Sequence, residues 1–515
     1  MAGSPWQPGD GPLRLPPPEA EGWSEADREE TVDVVIVGGG PGGSAVARIL
    51  SLAGARVLLL EEGPPRSRFG RSQGGTMRHH MQEGGAMVAL GTGPLPIAAG
   101  RGLGGGSLIN SAIAWRAPDD VLDGWTQLLG DDRHSAASLK PIYDELWELL
   151  GIGPPSYPGV NNDLLVRGAK ACGFPGGYLD RYTPGCTGCG VCYLGCPSGG
   201  KSSVNLNLLA EAASFGTRIL ADTRVEGLLL DDRERVVGVT GRMMDPDSRR
   251  WGGRVTVHAE RVVLTAGAIG TPRLLHHAGL AGRLGPVGEG LHVHPGSAVL
   301  GWCPFPVNLW RGATQAAWFT HPELPGVLPH SFSATPETCL LVSGRYGRSA
   351  EPGIEELSRL CGAVVMISDK GTGRVGAWSD GRADLSYRFD PDDVSRIKAG
   401  MYRVAQVLLA GGAETLTAPV RGVERCSTAD ALAAQLADKT MADFTLYASH
   451  PMSSCRMGRN PETSVLGPDG QSHKLKGLYF ADASIFPTSL GVNPSLTVMA
   501  MATRIARDMV TSTPR

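Results

Sequence analysis

No run of 18 or more apolar residues occurs in the 515-residue chain, which argues against a membrane-spanning helix. The opening stretch, MAGSPWQPGDGPLRLPPPEAEGWSEADREE, has no basic region followed by an apolar one, so it does not read as a signal peptide. Its proline and acidic content predicts a disordered segment over residues 1–30. An excess of one charge is missing too. With 48 basic residues against 51 acidic ones, no field favours nucleic acid or an anionic membrane. No internal repeat is visible. These absences predict a cytoplasmic protein of two unequal domains, because the chain is too long for one compact core.

Glycine is what the chain has in excess. Its 72 glycines are about twice the usual share of roughly 7%. They gather at Gly38–Gly43, Gly100–Gly106 and Gly185–Gly200, where backbone can approach a large ligand. The first cluster lies in TVDVVIVGGGPGGSAVARILSLAGARVLLLEEG, which starts at Thr31. Val32–Val37 reads as a buried parallel strand, and Gly38, Gly40 and Gly43 supply G-x-G-x-x-G before a helix. Such a turn lets backbone approach a pyrophosphate and presents helix N–H groups to it. Ala55–Leu60 is the second strand, and Glu61 ends it where an acid binds a ribose hydroxyl. A ribose diol argues against NADP and leaves NAD and FAD open.

Three further blocks bear on that choice. RGLGGGSLIN (Arg101–Asn110) is a second glycine nest, which a single NAD site does not need. RVVLTAGAIGTPRLLHHAGL predicts a strand, a glycine turn and a helix starting near Thr271 and Pro272. Near the end, Gly477–Ala481 reads as a strand followed by Asp482, and Asn493–Pro494 opens a helix. In between, strand-like runs at Ala298–Trp302, Ala363–Ser368 and Ala383–Phe389 alternate with loops, and a helix is expected from Asp392 to about Leu409.

VVIVGGGPGGSAVA, GRGLGGGSLIN, TAGAIGTPRLL, SHPMSSCRMG and NPSLTVMAMA together resemble the glucose–methanol–choline (GMC) family of FAD-dependent oxidoreductases. The segment RAPDDVLDGW is most similar to long-chain alcohol oxidases and their bacterial relatives. The resemblance implies an α/β fold: a Rossmann-type FAD domain from discontinuous segments and an α+β substrate domain whose antiparallel sheet roofs the flavin. The expected boundaries give the FAD domain residues 31–117, 201–295 and 441–515. The substrate domain takes 118–200, including the cysteine-rich loop, and 296–440.

The resemblance also implies oxidation of an alcohol CH–OH group, through proton abstraction and hydride transfer to flavin N5. His450 is the expected base, since imidazole titrates near working pH, and Asn493 is its expected partner on the substrate oxygen. As a helix start, Asn493 also reads as an N-cap, which would turn its amide away from substrate. Implied cofactor contacts are Gly38, Gly40, Gly43 and Glu61 for the ADP half, with Arg101, Gly105, Ser107 and Asn110 along the pyrophosphate and ring edge. Val225 meets the adenine, and Asp482 with Ala483 meets the ribityl–phosphate junction. Some relatives link flavin through a histidine, a role open to His79 or His80. His292 and His294 read as structural, and Cys455 as buried packing. The expected partners are an apolar alcohol and an acceptor that is oxygen, a quinone or a redox protein. The alternatives are a non-redox lyase and an electron-transfer module on the same fold.

One motif stays open. CTGCGVCYLGCP places Cys186, Cys189, Cys192 and Cys196 in the C-x2-C-x2-C-x3-C-P run of bacterial ferredoxins. Zinc would be cramped in so short a loop, a reducing compartment disfavours disulfides, and covalent haem lacks its histidine. An iron–sulfur cluster and an unmetallated loop remain, with Cys172 a substitute for Cys196 as fourth ligand.

Overall fold

The computed structural model describes residues 6–65, 73–342 and 354–511. Its first layer is a seven-stranded sheet assembled from separate parts of the chain. Arg28–Val37 pairs in parallel with Val57–Leu60 on one side and with Trp251–Leu264 on the other. Leu478–Phe480 adds a parallel strand to the far end of Trp251–Leu264. Val34, Val35 and Ile36 are fully buried, as the continuous apolar run predicts. The first strand begins four residues before Val32, since Arg28 to Val32 continue pairing with Val255 to Ala259.

The helix Pro41–Leu52 follows the first glycine turn, and Ser495–Thr511 packs beside it. The second layer is a six-stranded sheet in the order Thr415–Thr417, Gly296–Trp302, Leu360–Ile367, Val327–Ser331, Ala317–Phe319, Gly176–Tyr178. Its main pairings are antiparallel. The helix Pro391–Gly411 backs this sheet with Ile397, Met401, Val404 and Leu408 buried at helical spacing. Asp390 caps its start through the Asp392 N–H.

Two expectations are corrected. Residues 6–30 are not disordered (the first five lie outside the described residues). They form an extended strap whose N–H groups at Leu13, Leu15 and Glu21 reach the carbonyls of Leu149, Leu206 and Ile219. Trp6 is only 6% exposed. Prolines keep the strap extended, and distant carbonyls satisfy it. Secondly, residue 118 does not divide the two layers. Asp119–Leu129 and Ala136–Leu149 bury Leu122, Trp125, Leu139 and Leu146 in the core of the parallel sheet.

Candidate active site

A cavity of about 630 Å³ runs between the carboxyl ends of the parallel strands and the second sheet. That is where open α/β sheets place their ligands. It is lined by Gly38, Gly40, Glu61, Arg101, Gly105, Asn110, Val225, Asp482, Ala483, His450 and Asn493. Eleven of the thirteen residues expected at cofactor or substrate therefore meet at one cavity. Gly43 and Ser107 do not line it. A Cβ on Gly43 would meet the Gly38 carbonyl at 2.0 Å, so this glycine packs helix against strand. The Ser107 hydroxyl donates to the Gly104 carbonyl (2.7 Å) and accepts from the Val204 N–H (3.1 Å), which ties it inward. His79 and His80 do not line the cavity either; His80 lies beneath it, 3.4 Å from the Arg101 carbonyl.

The cavity fits a dinucleotide. A Cβ on Gly40 would meet nothing nearer than the Gly105 Cα at 3.8 Å, so the missing side chain leaves room for a ligand. Gly40 stands at the N-terminus of Pro41–Leu52, whose dipole favours a phosphate. Beside it, Glu61 accepts from the N–H groups of Gly39 (2.8 Å), Gly63 (2.8 Å) and Gly102 (2.9 Å). One carboxylate thus fastens both glycine loops, while burial raises its pKa against those three bonds. Glu62, missed in the sequence, is held well below the carboxylate range by Arg273, Arg101 and Arg224 despite its burial. Asp482 accepts from the Gly267 N–H (2.9 Å), Thr271 Oγ1 (2.6 Å) and the Ser484 N–H (2.8 Å).

At the other end of the cavity, Asn493 Nδ2 donates to His450 Nε2 at 3.0 Å. The amide nitrogen can only donate, so Nε2 carries the lone pair and Nδ1 the proton. Asn493 therefore does not cap its own helix. Its Oδ1 has no partner, nor has His450 Nδ1. Burial, then the nearby His294 and His330, push the His450 pKa well below its ordinary value, with Asp369 opposing them. His450 is thus held neutral on the cavity wall.

Its surroundings were not legible in the sequence. The His294 ring meets the His450 ring edge-on at 5.5 Å, and its Nε2 accepts from the Gly491 N–H at 2.9 Å. That bond anchors the loop carrying Asn493. Behind it Asp369, fully buried, accepts from Ser489 Oγ (2.8 Å), Tyr387 Oη (2.7 Å) and the Val293 N–H (2.9 Å). Burial pushes His294 down to about 4. Cys455 is buried in the core, as expected. No helix among the described residues is long and apolar enough to cross a membrane.

Comparison with known proteins agrees with this geometry. GMC oxidoreductase family models match residues 77–296 and 371–502, and an FAD binding domain model matches residues 31–85. A GMC-type oxidoreductase of Mycobacterium tuberculosis is 31% identical over 492 residues, covering 93% of this chain and 76% of its own length. A long-chain-alcohol oxidase of Arabidopsis thaliana is 28% identical over 522 residues, covering 93% of this chain and 68% of its own. The crystal structure of pyridoxine 4-oxidase from Mesorbium loti superposes with a TM-score of 0.69 at 19% identity, over 94% of this chain and all of that one, a likeness of fold. With family models along most of its length and a relative 31% identical over 93% of it, the chain belongs to the GMC oxidoreductase family.

Proposed function

We propose that the protein oxidises the CH–OH group of an apolar alcohol to a carbonyl, with His450 as base and Asn493 as oxygen ligand. The observation that carries this reading is the 3.0 Å contact between His450 Nε2 and Asn493 Nδ2 on the cavity wall. A hydroxyl inserted there donates its proton to Nε2 and accepts from Nδ2, replacing one bond with two. FAD would be held along the glycine loops by Gly38, Gly40, Arg101 and Gly105 and would supply a two-electron hydride acceptor. As the carbon loses its hydride, His450 takes the hydroxyl proton and Asn493 holds the oxygen while the carbonyl forms. The helix Ser495–Thr511 starts at the cavity and favours negative charge developing there.

Ile113, Phe332, Val364 and Leu446 give the cavity apolar walls, which suit a hydrocarbon-bearing alcohol. The Arabidopsis relative, named a long-chain-alcohol oxidase, supports the same substrate class. Anaerobic reduction of the bound flavin by a panel of alcohols tests the reading directly.

The depressed His450 pKa fixes the pH profile. A base must be neutral, and a lowered pKa keeps it neutral below the ordinary histidine value of about 6.5. The rate of flavin reduction at limiting alcohol is expected to stay level as pH falls through about 6.5, declining only in more acidic solution. Stopped-flow measurement across that range checks it. A half-point near the ordinary value would mean that His450 is not desolvated in the working enzyme.

A further inference from the structure

At the four-cysteine loop, no three metal-ligating side chains converge among the described residues. Burial would raise the Cys192 pKa, but Arg181, 3.3 Å from its sulfur, and Lys201 bring it below the ordinary value. The charges there answer one another within the chain. Asp369 has no such answer. Its side chain is wholly buried, and among the described residues its one ion pair is with His292 Nδ1, at 3.5 Å. We propose that Asp369 is a positioning residue of the oxidation: through Ser489 and His294 it fixes the loop that carries Asn493, and its negative charge favours the imidazolium formed on His450. This rests on the reading of His450 as the base.

Asp369 acts first on backbone. Its carboxylate accepts from the N–H groups of Val293 (2.9 Å) and His294 (3.4 Å). His294 has a φ of +50°, in the left-handed region that disfavours residues with a side chain. Such strain persists only where the surroundings over-determine it, and two successive N–H groups bonded to a buried carboxylate do so. The strained turn sets the imidazole against the site. Its ring meets the His450 ring edge-on at 5.5 Å, and its Nε2 accepts from the Gly491 N–H at 2.9 Å, two residues before Asn493. Ser489 adds a second tie: its Oγ donates to Asp369 Oδ1 (2.8 Å) and packs 3.1 Å from the same His294 Nε2. Residues 489 and 491 are therefore fastened to Asp369 or to the histidine it holds, and Asn493 follows directly.

The second action is on charge. Burial would push the Asp369 carboxyl up, but His292, then His294 and the Tyr387 hydroxyl, hold it well below the carboxylate range. Facing it are His292 and His294, Tyr387 on the strand Ala383–Arg388, and Asp393 in the first turn of the helix Pro391–Gly411. When His450 takes the hydroxyl proton, a cation appears in a buried pocket. His294 and His330 oppose that charge, and Asp369 favours it. Low local dielectric magnifies the interaction. The carboxylate therefore acts where the imidazolium forms, in the transition state, more than on the bound alcohol.

Full-length, FAD-loaded protein mixed with octanol in the absence of air, in a stopped-flow instrument, tests both actions. Asp369→Asn keeps the shape and removes the charge; Ser489→Ala keeps the charge and removes the tie. Asp369→Asn is expected to hold FAD, to reduce its flavin roughly tenfold more slowly at saturating alcohol, and to change the alcohol dissociation constant by less than about threefold. Its acid limb is expected at lower pH than in the wild type, because losing the carboxylate lowers the His450 pKa further. Each sample stays at neutral pH until mixing, which keeps acid unfolding out of the rate. Ser489→Ala is expected to slow reduction with the limb unmoved. Histidine-labelled protein gives the comparison without turnover: the His450 ring nitrogen resonances, assigned with His450→Gln, are expected to titrate at lower pH in Asp369→Asn. A limb and resonances that stay in place would overturn the charge role, and an unchanged rate in Ser489→Ala would overturn the tie. Should Asp369→Asn lose FAD, Asp369→Ser replaces it; loss of FAD by both would make Asp369 a residue of the fold alone, against the proposal. Wild-type flavin that octanol and other alcohols leave oxidised would defeat the alcohol reaction, and this inference with it. Normal wild-type reduction with unaltered variants would defeat the inference alone.

Discussion

Replacing His450 by alanine is expected to slow flavin reduction by about 10²–10⁴-fold, the usual worth of a positioned base, with FAD content unchanged. Its side chain hydrogen-bonds Asn493 Nδ2, away from the glycine loops at the other end of the cavity. Its loss therefore removes proton transfer and leaves the dinucleotide end intact. His450→Gln separates two parts of the role, because glutamine can hold the substrate oxygen but cannot take its proton. Single-turnover mixing with alcohol in the absence of air gives the rate. Fast reduction by both variants would assign the proton to another group, such as His294, whose ring meets that of His450 edge-on at 5.5 Å.

The second large effect is expected at Gly40. Gly40→Val should purify folded and colourless. The backbone there is extended (φ −75°, ψ −170°), a conformation that valine accepts, and no protein atom lies within 3.8 Å of a Cβ. The methyls would instead fill the space at the helix N-terminus where a pyrophosphate belongs. Gly43→Val is the contrast: its Cβ would drive into the Gly38 carbonyl at 2.0 Å, so misfolding is expected. Circular dichroism and flavin content on the two variants distinguish ligand exclusion from collapse of the turn. A fully loaded yellow Gly40→Val would place the dinucleotide elsewhere.

The contrast shows how far the sequence could be read. G-x-G-x-x-G announces its turn because strand, glycine and helix are neighbours in the chain. Which glycine faces the ligand depends on atoms contributed by Gly105, Thr265 and Ala481, all far away in sequence. Ser107 misled for the same reason: its place in the second glycine nest suggested a cofactor contact, but its hydroxyl turns to Val204. The N-terminal strap was unreadable because local composition predicts disorder while its partners are carbonyls at Leu149, Leu206 and Ile219. His450 and Asn493 were visible as motif residues. Their mutual contact and the His294–Asp369 support behind them were not, since residues 294, 369, 450 and 489–493 meet only in the fold.

The most direct test of the account is anaerobic bleaching of the bound flavin by a long-chain primary alcohol, compared with the same alcohol deuterated at its carbinol carbon. Hydride transfer from that carbon predicts bleaching, one carbonyl product per flavin reduced, and a slower rate with deuterium. A flavin that stays oxidised with every alcohol tried, or bleaches at one rate with both isotopes and yields no carbonyl, would contradict it.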